Sequence, residues 1–226
     1  MNLTQEQLDG LLADGNKGKY NIILIGMSSS GKTHWAKALA KEYSMEHVEY
    51  DELIGKSNEL SKLLKGIKGK DEAERMGKYF GMPWTEGFQG RENKFLVIES
   101  AAMENDFGTG KVLDLTGSAI YHPEQLERLA KTGIVIYLET SEEAQEAMFR
   151  TFLSEPKPVC WKGQFNQKEG ENVDDALKRC YPNLLATRAN LYSQFANLTI
   201  PSGQHKKFED AIAFMSYVKA VLSKAI

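Results

Sequence analysis

The chain has 226 residues, 42% of them hydrophobic, enough for one globular domain with a substantial core. Its 28 Lys and Arg against 31 Asp and Glu leave a formal charge of −3, so nothing in the composition draws it towards nucleic acid or an anionic membrane. Two distant cysteines, Cys160 and Cys180, and four scattered histidines argue against a disulfide framework and a structural zinc site. The N-terminal segment lacks the basic and apolar regions of a secretory signal, and the longest apolar runs, at 22–25 and 134–138, are too short to span a bilayer. The expectation is a monomeric, cytoplasmic globular protein with no nucleic-acid or membrane partner.

The predicted elements alternate. Residues 4–13 read as a short leading helix, with Thr4 and Gln7 at capping-box spacing and Leu3, Leu8, Leu11 and Leu12 as its apolar stripe. Residues 20–26 form a β-branched apolar run, suited to a strand buried on both faces. A Gly/Ser turn leads into a helix over 34–43. Val48–Tyr50 reads as a second strand that ends at Asp51 and Glu52. Residues 55–81 are rich in Lys and Glu and read as two exposed helices. Residues 91–103 contain Phe95-Leu-Val-Ile98, which also suits a strand, but Glu92, Phe95, Leu96, Glu99 and Met103 fall on helical spacing. A strand over 111–115, a helix over 123–131 with Pro early, and a strand over 134–138 follow. Residues 142–153 read as a helix and 154–172 as a mobile loop. Residues 173–195 read as a helix in which Pro182 is a candidate break. A short strand at 198–200 and an amphipathic helix over 208–225 close the chain. This alternation predicts a three-layer α/β/α fold with a parallel sheet.

Gly26-Met-Ser-Ser-Ser-Gly31-Lys32-Thr33 matches G-x-x-x-x-G-K-[ST] in full, after a buried strand and before a helix. In such a loop the glycines let successive backbone N–H groups turn inward on a phosphate, helped by the positive end of the helix dipole. Gly26, Ser28, Ser29, Ser30 and Gly31 are therefore expected to cradle phosphate. Lys32 is expected to reach the β- and γ-phosphates, and the Thr33 hydroxyl to hold Mg2+. Asp114-Leu-Thr-Gly117 spells D-x-x-G, but no guanine-reading N-K-x-D occurs, so ATP is expected rather than GTP. Ligands of open α/β sheets bind beyond the carboxyl ends of the strands. Asp51 is placed there to orient or deprotonate an attacking hydroxyl, with helix capping as its structural alternative. Glu49 and Asp114 are candidate carboxylates for Mg2+. Asp114 sits in an otherwise apolar strand, where an unpaired charge would be costly.

From Asn21 onward the chain resembles the shikimate kinase family, P-loop small-molecule kinases of the nucleoside-monophosphate-kinase-like fold. The resemblance rests on the loop Gly26–Thr33; on Val48-Glu-Tyr-Asp51-Glu-Leu-Ile54, similar to D-x-D-x-x-I; on Gly87-Phe88-Gln89-Gly90-Arg91-Glu92, similar to G-F-R-x-x-E; on Leu115-Thr116-Gly117-Ser118 at the family's glycine turn; on Arg150-Thr151 and Lys157-Pro158, similar to R-T…R-P; and on Arg188-Ala-Asn-Leu-Tyr192, similar to R-x-P-L-Y. It implies a single domain over 1–226, with an N-terminal extension at 1–19, a helical substrate-binding region at 55–92 and a lid at 150–172. It also implies γ-phosphoryl transfer from ATP with Mg2+ to a hydroxyl of a small hydroxy acid or polyol. In that reading Lys32, Asp51 and Lys157 are catalytic, and Arg150 and Pro201 join the nucleotide site. Asp51, Phe88, Gln89, Gly117, Ser118 and Arg188 hold the acceptor, and Thr33, Glu49 and Asp114 serve the metal. Gln89 stands where the family has a carboxylate-binding Arg, Lys157 replaces a second Arg, and segments 55–80 and 154–178 are longer than in compact members. Those departures motivate an altered acceptor. An NTP-binding regulatory or switch protein of the same fold is the alternative they leave open.

Overall fold

The structure, a computed structural model, describes residues 5–12, 19–154 and 158–224. Thr4, Leu3 and Lys157 lie outside the described residues. Five parallel strands, β1 (Asn21–Ile25), β2 (Glu46–Glu49), β3 (Lys111–Asp114), β4 (Gly133–Leu138) and β5 (Leu198–Ile200), form one sheet in the order β2-β3-β1-β4-β5. Between and around them run α1 (Gln5–Leu12), α2 (Lys32–Glu42), α3 (Tyr50–Gly55), α4 (Asn58–Leu63), α5 (Glu72–Phe80), α6 (Phe88–Met103), α7 (Pro123–Ala130), α8 (Glu142–Ser154), α9 (Val173–Phe195), α10 (Ser202–His205) and α11 (Ala211–Leu222). The chain divides into two compact units, one of residues 1–51, 103–141 and 189–226, the other of residues 52–102 and 142–188.

The first unit holds the sheet. β1 and β4 are buried at every position, as expected of central parallel strands. Alternate residues Ile22 and Leu24 of β1 and Ile134, Ile136 and Leu138 of β4 pack with Trp35 and Leu39 of α2 and Phe214, Met215 and Val218 of α11. Each such side chain contributes about 1.5–3 kcal/mol by leaving water. Leu126 and Leu129 of α7 are buried outside that cluster. Asn21 stitches the amino ends of three strands: its Nδ2 donates to Gly108 O and Thr132 Oγ1, both at 2.9 Å, and its Oδ1 accepts from Lys111 N at 2.9 Å. Gly133 begins β4 beside it, where a Cβ would stand 2.0 Å from Asn21 O, so only a glycine lets β4 pair this closely with β1.

In the second unit, α6 is a helix, as its spacing predicted, and carries two buried carboxylates, Glu92 and Glu99. The segment expected to be a mobile loop is tied down in its middle. Trp161 is 1% exposed and packs edge-on against Phe152, Phe165 and Tyr181. Glu92 Oε1 accepts from the backbone N–H of Trp161 and, at 3.0 Å, of Lys162. α9 runs through Pro182 without a break. Pro182 and Lys178, whose carbonyl the missing N–H would have reached, are both solvent-exposed, so water can satisfy that carbonyl. Nearby, Arg179 grips Glu171 through Nη2 at 2.6 Å and Nε at 2.9 Å, and Lys168 N donates to the same carboxylate at 2.9 Å. These bonds hold the Glu171 carboxyl down at about 2. A carboxyl with a depressed folded-state pKa stabilises the fold above its ordinary pKa of about 4.3 and loses that contribution as pH falls through the depressed value. Acid unfolding of the parent between about pH 4.5 and pH 2 should therefore be steeper than that of Glu171→Gln, measured as urea midpoint against pH.

The second strand and the closing helix are bounded differently from expectation. β2 covers Glu46–Glu49, not Val48–Tyr50, and Tyr50 and Asp51 already belong to α3. β2 has only Val48 fully buried, so its apolar signal was one residue long; its register with β3, Glu46 opposite Lys111 to Glu49 opposite Asp114, sets its limits instead. The closing helix starts at Ala211 because Asp210 caps it, its Oδ1 accepting from Ala213 N at 2.8 Å.

Candidate active site

The phosphate-type loop lies in the first unit, at the carboxyl end of β1. Gly26 has φ +149° and a Cβ there would stand 2.6 Å from Leu138 O and 2.9 Å from Ser30 Oγ. Ser29 takes φ +62°, a sparsely populated conformation for a residue with a side chain, and Gly31 takes φ +92° at the N-cap of α2. Gly26→Ala should cost at least about 1–3 kcal/mol of stability, because any side chain there meets the Leu138 carbonyl at the end of β4. A chemical denaturation midpoint checks this.

Lys32 is buried, and its Nζ donates to the carbonyls of Gly26 and Met27, both at 3.0 Å. The lysine therefore curls back over the loop that carries it. Burial pushes its pKa down, and the negative charges of Asp114 and Asp51 pull it back up. Thr33 Oγ1 donates to Asp114 Oδ2 at 2.6 Å, so the loop hydroxyl and the buried carboxylate of β3 are already in register. This answers what balances Asp114 in an apolar strand. Ser30 Oγ is buried without a hydrogen-bond partner, facing the same turn. An orphaned hydroxyl, a loop with no room for a Cβ and a Thr–Asp pair together fit a Mg2+-bound phosphate chain.

Around this loop the first unit assembles the other strand-end residues. Asp51 is exposed in the first turn of α3, two residues beyond β2, and is close enough to act on the Lys32 charge. Glu49 lies opposite Asp114 in the β2–β3 register and pairs with Lys37 at 3.7 Å. His47, two residues before Glu49 and on the same face of β2, brings Nε2 to 3.8 Å from Asp114 Oδ2. Sequence reading overlooked His47, although its i, i+2 relation to Glu49 was available. Gly117 sits against Ser28: a Cβ on it would be 3.5 Å from Ser28 N. Its carbonyl accepts from the Tyr192 hydroxyl at 2.6 Å, and the buried Tyr192 ring stacks on Tyr137 with centroids 5.0 Å apart. Ser118 is buried and immediately precedes the 3-10 turn Ala119–Tyr121. Pro201 is exposed at the start of α10, which sequence reading did not anticipate. The His205 ring of that helix lies 2.9 Å from Glu139 O.

In the second unit, Phe88, expected to line an acceptor pocket, is buried at 4% exposure with its ring edge-on to Phe80 at 6.2 Å. It repeats Phe95 at i+7 on the buried side of α6, and packing accounts for it. Gln89 beside it is exposed. Arg188 is buried, with Nη2 donating to Cys160 O at 2.7 Å. Arg150 is exposed on α8 and pairs with Glu146 at 3.6 Å.

A sequence model of the family described as shikimate kinase matches residues 57–219. The chain belongs to the shikimate kinase family. It is 29% identical over 182 residues to shikimate kinase 1 of Yersinia pestis, covering 80% of this chain and 86% of that one. To the shikimate kinase of Haemophilus influenzae it is 27% identical over 186 residues, covering 82% and 85%. Its fold is similar to that of the Bacteroides thetaiotaomicron shikimate kinase (TM-score 0.54, 18% identity, 90% of this chain and 98% of that one). It is also similar to the fold of the Acinetobacter baumannii enzyme solved with shikimate (TM-score 0.50, 24% identity, 91% and 94%). As a member of this family the chain is a small-molecule kinase, a phosphotransferase with an alcohol group as acceptor, and uses ATP and Mg2+. Among the described residues no helix is long and apolar enough to cross a membrane.

Proposed function

We propose that this kinase moves the γ-phosphoryl group of ATP to a hydroxyl of a small hydroxy acid or polyol, with an acceptor site altered from that of its shikimate-phosphorylating relatives. The observation that carries the transfer half is the joined set of Lys32, Thr33 and Asp114 at the end of β1 and β3, with Asp51 within electrostatic reach. Gly26, Ser28, Ser29, Ser30 and Gly31 surround the phosphates. Thr33, with Asp114 and Glu49 behind it, holds Mg2+, which when bound neutralises phosphate charge. Asp51 accepts the proton of the acceptor hydroxyl as the hydroxyl oxygen attacks phosphorus. Arg150 and Lys157 belong to a lid that adds positive charge over the nucleotide, and Pro201 flanks its base. The same reading places the enzyme in the cytoplasm.

The acceptor half rests on Gln89. A neutral amide replaces a guanidinium that would hold a carboxylate through charge-assisted, often bidentate hydrogen bonds, a loss of about 2 kcal/mol or more. Arg188, held by the Cys160 carbonyl, is then the carboxylate's remaining strong partner, while Gln89 and Ser118 offer hydrogen bonds to hydroxyls. The test is an ADP-release screen over small hydroxylated metabolites, shikimate included, with the product identified. Weak or absent turnover of shikimate and better turnover of a less acidic acceptor are expected. Gln89→Arg should lower the KM for shikimate by about 30-fold, the equivalent of that 2 kcal/mol. Strong shikimate turnover with a low KM in the parent would overturn the altered acceptor and leave the kinase intact.

A further inference from the structure

We infer that His47, Glu49 and Asp114 form a mixed nitrogen–oxygen site for a borderline divalent cation, of the Co2+, Zn2+ or Fe2+ class, which the chain binds without nucleotide. The inference rests on the reading of Glu49 and Asp114 as metal-facing carboxylates and adds to it a third ligand that changes the metal chosen.

Strand geometry brings the three together. His47 and Glu49 are at i and i+2 of β2 and so share a face, and Glu49 lies opposite Asp114 of β3. One ligand atom from each lies within 4.8 Å of the other two. The His47 Nε2 to Asp114 Oδ2 separation is 3.8 Å, too long for a hydrogen bond. Two ligands on one cation with bonds of about 2.1 Å stand about 3–3.5 Å apart, so a small contraction closes the site. The second observation is the imidazole itself. Nε2 is buried, has no hydrogen-bond partner and lies beside a carboxylate that is 4% exposed. A ring nitrogen removed from water and left unbonded is costly, and a cation between it and Asp114 would satisfy both.

Donor type decides the occupant. Mg2+ takes oxygen ligands and keeps its waters, so His47 adds little to it. Imidazole suits the later first-row cations, whose affinity for nitrogen donors rises along the series. The charges facing the site are those of Lys37, 3.7 Å from Glu49, and Lys32, which acts on Asp114. Both oppose a cation, and only the full set of two carboxylates and an imidazole outweighs them. Thr33 Oγ1 already bonds Asp114 Oδ2, so a cation here would adjoin the Mg2+ side of the phosphate loop.

The experiment is a calorimetric titration of the metal-free, nucleotide-free full chain with Co2+ alone and with Mg2+ alone, together with proton NMR of the Co2+-loaded protein. One Co2+ per chain should bind at least 100-fold more tightly than Mg2+, and one imidazole N–H should appear as a strongly shifted, solvent-exchangeable proton. His47→Gln should lose that proton and weaken Co2+ at least about 100-fold, since even a residue behind a ligand is worth about 10–100-fold. Mg-ATP binding should be unchanged in that variant. Co2+ binding no tighter than Mg2+, or equal in His47→Gln, overturns the site. If that variant does not fold, the parent spectrum decides, and absence of a shifted imidazole proton overturns it. Loss of Mg-ATP binding in Asp114→Asn with Co2+ binding unchanged would separate the two readings in the other direction and also overturn this one.

Discussion

Lys32→Ala should abolish the stabilisation of the chain by Mg-ATP. A ligand at a hundredfold excess over its Kd stabilises a fold by about 2.7 kcal/mol, which for a chain of this size raises the melting temperature by about 5–10 °C. The parent should show that rise and Lys32→Ala no measurable one. The Nζ group holds the Gly26 and Met27 carbonyls at 3.0 Å, and it is the buried cation nearest the phosphate cradle among the described residues. Without it those carbonyls present their negative ends to the incoming phosphates, and Asp114 and Asp51 lose the positive charge that balances them. Circular dichroism of the nucleotide-free variant separates a failure to bind from a failure to fold. An equal melting rise in parent and variant would remove this loop from the nucleotide site.

Asp51→Asn should lower kcat by about 10² or more while the ATP-dependent melting rise is retained. The substitution keeps size and one hydrogen-bonding oxygen but removes the base. Asp51 is exposed at the start of α3, and circular dichroism of the variant checks that the fold is kept. Its measured signature is a drop in kcat at saturating ATP and acceptor. Turnover equal to the parent would mean that another group takes the proton, and the chemistry proposed for this carboxylate would fall.

Much of the first unit was legible because its signals are strong and local. β1 and β4 carry apolar runs of four and five residues, and a strand buried on both faces needs such a run. The loop Gly26–Thr33 is fixed by backbone conformations that few sequences tolerate. Harder to read was whatever depends on a partner distant in sequence. β2 is polar except at Val48, and it is a strand because β3 pairs with it. Asp51 was expected at the tip of that strand and instead begins a helix, though it stays at the same end of the sheet. Trp161 sits in a segment whose Pro, Gly, Lys and Gln content predicts mobility. The rings of Phe152, Phe165 and Tyr181 and the distant Glu92 carboxylate bury and hold it. Phe88 was weighed as a pocket wall because its neighbours resemble an acceptor motif, but its spacing to Phe95 already suited the apolar side of α6. Arg188 shows the same limit: its neighbours in sequence suggest a ligand contact, while the Cys160 carbonyl that orients it lies 28 residues away.

The sheet order places β2 at one margin and β5 at the other. A sheet margin is a template on which a second, partly folded chain can add a strand, and long, flat, apolar margins are where aggregates start. Here one margin is a four-residue strand bearing Glu46, His47 and Glu49, with Lys111 on its neighbour tethering Glu46, and the other is only three residues long. The long apolar strands, β1 and β4, are interior to the sheet. Colloidal behaviour follows from this arrangement: the folded sheet offers neighbours charge and brevity at its rims, while its stickiest segments lie in its interior.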